Sequence, residues 1–131
     1  MHIWITSYLT KYVDGLPHVI SSSEVAVARL SQLRFDVPLK LVRADVKHFF
    51  MSGSPDVIVK IIDKATNYEL PCILLSTILW TLQNQFVASK WLAGGWHVKI
   101  GTGRGLIMSS VISDLCFHEA AERWALQFGV C

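Results

Sequence analysis

Runs of apolar and polar positions along the chain predict four helices, one buried strand and a hairpin. Ser21, Ser22 and Ser23 precede Glu24, and apolar residues then recur at Val25, Ala28, Leu30 and Leu33, a capped helix ending near Arg34. Pro38 closes it, and Leu39, Leu41, Val42, Ala44 and Val46 predict a mostly buried strand. Ser54-Pro55 opens a second helix, with Val57, Ile58, Ile61 and Ile62 inward and Asp56, Lys60, Asp63 and Lys64 toward water. Pro71 starts a third through Ile73, Leu74, Thr77, Ile78 and Leu82, apolar on most of its circumference. Phe86 to Leu92 and Trp96 to Ile100 read as strands around Gly94-Gly95, a hairpin signal. A glycine-rich loop, Gly101 to Gly105, leads into a long helix from Ser109 to about Gln127. The order predicts an α+β fold with too few strands for a closed sheet.

Composition narrows the class. The 131 residues are enough for one domain. With 52% hydrophobic and 17% charged residues the chain is not intrinsically disordered, and some of its apolar surface is expected to meet a partner. A net charge of +2 does not by itself announce a nucleic-acid binder. Cys72, Cys116 and Cys131 form no CxxC pair and no disulfide framework, which points to a reducing intracellular compartment, nucleus or cytoplasm. The histidines have no zinc spacing. Leu70 to Leu82, the most apolar stretch, falls short of the roughly 20 residues of a membrane span. Met1 to Lys11 is no secretory signal. The expectation is a soluble chain that is not secreted and has no membrane partner.

Two segments carry candidate chemistry. In Leu41 to Phe50, a lone carboxylate, Asp45, ends the predicted strand and an aromatic stands five positions on. In Gly101 to Phe117, the glycine loop runs directly into a helix. Taken alone, Asp45 could be a strand-end carboxylate pairing with Arg43 or Lys47. The loop could be a plain turn, and Ser109 an N-cap. A dinucleotide-binding turn is excluded by the spacing Gly101-x-Gly103-x-Gly105 and by the lack of a following acidic residue. Ser109 has neither a GxSxG elbow nor a nearby histidine, so it does not read as a hydrolase nucleophile.

In order, the two segments resemble motifs A (41–50) and B (101–117) of the reverse transcriptase palm. Motif A of that family is an apolar strand, an Asp, and a Phe or Tyr five positions later, which Asp45 and Phe50 match. Motif B is Gly-x-Pro-Gln-Gly-x-x-x-Ser-Pro and then a helix with Asn, and Gly101, Gly105 and Ser109 fall on its Gly, Gly and Ser without a gap. Phe86, Trp91, Trp96, His97 and Glu122 look most like Penelope-type and related retroelement enzymes. The resemblance covers about Leu39 to Trp124. It implies a partial right-hand palm over 39–131, preceded by a fingers-like segment, 1–38.

What the resemblance implies for the site follows residue by residue. Asp45 would be the catalytic carboxylate and a ligand of Mg²⁺ or Mn²⁺, assisted by the backbone carbonyl of Val46. Phe50 would lie under the incoming sugar and exclude a 2′-hydroxyl. Gly101, Gly103, Arg104, Gly105 and Ser109 would form the template or nucleotide platform, with Lys47 and Arg104 the cations for phosphate. RNA template, DNA primer and deoxynucleotide are the implied ligands.

The departures matter equally. Arg104 replaces the Gln, Gly103 and Ser110 replace the prolines, and Asp114 stands where Asn is usual. The aromatic-x-Asp-Asp of motif C is absent, so a fragment inactive by itself is expected, its metal site completed only by residues from elsewhere. The exposed apolar face would then meet the missing thumb and motif C region or another protein. The alternative is a non-catalytic nucleic-acid-binding or assembly module derived from a palm. A third reading is an unrelated small α+β domain.

Overall fold

The computed structural model describes residues 2–16, 19–20, 22–34, 47, 49–103 and 105–127. It is an α+β chain. Helix α1 (His2–Asp14) comes first and was not foreseen from the pattern above. Its Ile5, Leu9 and Val13, four residues apart, form one buried stripe.

Helix α2 (Ser23–Gln32) begins where expected, with the Ser22 hydroxyl accepting a bond from the Val25 amide at 3.3 Å. It has no buried residue, so its apolar positions do not enter the core. The predicted strand at Leu39–Val46 lies outside the described residues.

A 3₁₀ turn (Phe49–Met51) precedes α3 (Pro55–Ala65), which has Pro55 in its first turn as the sequence requires. Ile58 and Ile62 are buried, Ile61 is partly covered, and Val57 is exposed rather than inward. The inward face is therefore narrower than the four-residue reading. Asn67 and Tyr68 both adopt left-handed backbone and turn the chain toward α4 (Cys72–Gln83). Of that nearly all-apolar helix only Leu74, Ile78, Thr81 and Leu82 are buried, while Ile73 and Trp80 face solvent.

The hairpin exists, but its turn is elsewhere. Strands β1 (Phe86–Ser89) and β2 (Leu92–His97) pair antiparallel, Phe86 opposite His97 and Val87 opposite Trp96. The chain reverses at Lys90-Trp91, and Gly94-Gly95 lie inside β2. The register slips between Ala88 and Ser89, and Gly94 takes a φ of +109°, so the glycines serve an irregularity in the ladder rather than its turn.

Helix α5 (Ser109–Phe117) continues through a π-helical turn (His118–Glu122) into α6 (Arg123–Gln127), the long final helix that was expected. Helix α5 packs on α1 and α3, and α3 on α4. One core joins Ile5, Leu9, Ile62, Leu74, Ile78, Leu82, Ile112 and Leu115. Each such side chain contributes about 1.5–3 kcal/mol by leaving water. The Glu119 carboxylate, on the π turn and 4% exposed, accepts from Lys64 at 2.7 Å and from Arg123 at 2.6 Å, tying that turn to the end of α3. Burial works against its charge, but those two bonds outweigh it and hold its pKa below the usual carboxylate value. Among the described side chains of the hairpin, none belongs to this helical core.

No helix among the described residues is long and apolar enough to cross a membrane.

Candidate functional site

The glycine loop is anchored by backbone bonds to a segment about 50 residues earlier in the chain. The Gly101 amide donates to the Gly53 carbonyl at 2.8 Å, and the Thr102 amide to the Phe50 carbonyl at 2.9 Å. Gly101 and Gly103 have φ of +82° and +66°, the left-handed conformation that a Cβ disfavours. These two glycines bend the loop so that its amides meet residues 50–53.

Ser109 does not cap its helix. It is the first residue of α5, buried, and its hydroxyl binds back to the Thr102 carbonyl at 2.9 Å and to the Gly103 carbonyl. It clamps the loop onto the helix that follows. Thr102 and Ser113 hydroxyls lie 3.4 Å apart beneath it. From the other side, the buried Gln85 amide donates to Leu82 at 2.9 Å and to Gly101 at 3.3 Å. Nothing in the local pattern singles out Gln85, because its role depends on a loop 16 residues later.

Of the residues singled out from sequence, the structure therefore brings Phe50, Gly101, Gly103 and Ser109 into one region. Phe50 is half-buried, its ring 5.1 Å from that of Phe49 in an edge-on arrangement. Gly105 and Lys47 are exposed. Asp45, Val46 and Arg104 lie outside the described residues. Among the described residues no group of three or more His, Cys, Asp or Glu could hold a metal ion.

A cavity of about 230 Å³ opens beside this region, lined by Phe49, Val57, Ile61, Cys116, Phe117 and Thr102 among others. Burial raises the Cys116 thiol pKa to about 12, which leaves it protonated and unreactive as a nucleophile.

Asp114 is half-buried, and its pKa is raised, first by burial and then by the negative charge of Glu122. The folded chain thus holds this proton more tightly than the unfolded one. Its cost to stability is absent below the ordinary value of 3.8, appears as pH rises through the raised folded value, and is complete above it. Asp114→Asn is expected to raise the thermal midpoint at pH 7, and only modestly because solvent reaches the site. The difference from wild type should close toward pH 3.8 in a series of melts. An equal gain at both pH values would contradict a charge penalty.

Compared with known protein families, curated proteins and solved structures, the chain has no match in any of the three.

Proposed function

We propose that this chain is a fragment of an RNA-directed DNA polymerase palm, carrying motifs A and B of a retroelement reverse transcriptase. The observation that supports it is the pair of backbone bonds from Gly101 and Thr102 to Gly53 and Phe50. They join Phe50, the last residue of the motif A segment, and Gly53 just beyond it to the start of the motif B loop, as a shared nucleotide site requires. On this reading Asp45, with the Val46 carbonyl, takes Mg²⁺ or Mn²⁺, and Phe50 is the sugar gate. Gly101 to Gly105 with Ser109 form the platform, and Lys47 and Arg104 meet phosphate. RNA template, DNA primer and deoxynucleotide are its ligands. Without motif C the chain does not polymerise unaided.

Manganese broadening of backbone amide signals tests the arrangement. Mn²⁺ held by Asp45 should broaden the amides of Phe50, Gly101 and Gly103 first, and Asp45→Asn should abolish the effect. Broadening centred on Asp114 and Glu122, or unchanged in Asp45→Asn, would refute the palm reading.

A second reading, a non-catalytic assembly module, is favoured by the apolar surface. Ile3, Ile73, Trp80, Trp91 and Trp124 are all more than half exposed.

A further inference from the structure

The hairpin is an aromatic and cationic element with no acidic counterpart. From Leu70 to Ser113 the sequence contains Lys90, Lys99 and Arg104 and not one Asp or Glu. At the hairpin tip Trp91 is 83% exposed, with the Lys90 ammonium 4.9 Å from its ring centroid. At the base Phe86, 67% exposed, stacks on His97 at 4.9 Å with the planes 19° apart. The imidazole is held there by a bond from Nε2 to the Gln83 carbonyl. Strand alternation places Phe86 and His97 on one face and Val87 and Trp96 on the other.

Beside the base runs a groove of about 480 Å³, within the size range of ligand sites. Trp80 and Phe86 supply ring surface to it, Asn84 and His2 supply polar edges, and Gly103 and Gly105 contribute bare backbone. His2, one of its lining residues, has its Nδ1 buried without a hydrogen-bond partner among the described residues.

From these features we infer that the hairpin and the groove at its base bind single-stranded nucleic acid. Unpaired bases stack on Phe86, Trp91 and Trp80, and the phosphates meet Lys90 and Lys99. A duplex hides the base faces that these rings would cover. An anionic bilayer would favour rings gathered on one face, whereas here they occupy both faces of a ribbon and a polar-edged groove. The inference does not rest on the palm reading, since neither Asp45 nor a metal enters it.

The test is anisotropy of a labelled oligothymidylate of about 12 nucleotides titrated with the full chain in EDTA, so it is independent of any metal site. Two phosphate contacts predict a slope of about −1.4 for log affinity against log salt. Phe86→Ala with Trp91→Ala, both at exposed positions, should weaken binding about tenfold or more. Lys90→Gln with Lys99→Gln should bring the slope close to zero. The inference is overturned by unchanged affinity in the aromatic variant, or by equal binding to duplex DNA or phosphatidylserine vesicles. Equally effective competition by polyphosphate, which has charge but no bases, also overturns it.

Discussion

Gly103→Ala is expected to destabilise the chain by about 2–4 kcal/mol, while Gly105→Ala two residues on leaves it within about 0.5 kcal/mol of wild type. Gly103 has a φ of +66°, which costs an alanine about 1 kcal/mol. A Cβ there would also stand 2.7 Å from Gln85 Oε1. That atom ends a flexible side chain, and in an exposed glutamine it would swing aside at little cost. Here the same amide group is buried and donates from Nε2 to Leu82 and to Gly101. Moving it breaks those bonds and leaves buried polar groups unmet, a further cost of about 1–3 kcal/mol. At Gly105 nothing lies within 4 Å of the added carbon. Urea unfolding of the three proteins measures the contrast, and coincident midpoints for the two variants would sink this account of the loop.

Ile62→Ala is expected to cost about 3–4 kcal/mol. Ile62 is fully buried on α3, the helix that packs on both α4 and α5. Removing its outer carbons forfeits their transfer from water and leaves a cavity that three helices cannot close together. Val57, on the same helix, is 48% exposed, and Val57→Ala should cost under about 1 kcal/mol. The pair separates position from composition: both are β-branched residues on one apolar-rich helix, and only one supports the core. Similar losses in both would mean that α3 is rotated from the packing described.

Local signals account for much of the fold. Pro55 and Pro71 mark helix starts because they cannot donate within a first turn, and both helices begin at or just beyond them. Ser22 caps α2 because its side chain reaches an amide three residues on. Helix α1 escaped the pattern because Trp4, Thr6, Tyr8 and Thr10 surround its Ile5-Leu9-Val13 stripe with residues of weaker helix preference. Packing against α5 stabilises it. The hairpin turn was misplaced for a related reason. Gly94-Gly95 is a strong turn signal in isolation, but register depends on cross-strand partners, and Val87 opposite Trp96 puts the glycines within the ladder.

The candidate site divides in the same way. The glycine spacing of the loop, the helix that follows and the presence of Ser109 at their junction are all determined by consecutive residues, and they are legible before any coordinates. What only the tertiary structure decides is that Ser109 holds the loop rather than capping its helix, and that Gln85 braces it from the other side. It also decides that the loop amides meet Phe50 and Gly53. Those contacts join residues 7, 16 and about 50 positions apart. Periodicity and propensity report the conformation of neighbours along the chain, whereas such bonds form only once the α1, α3 and α5 faces have closed into one core.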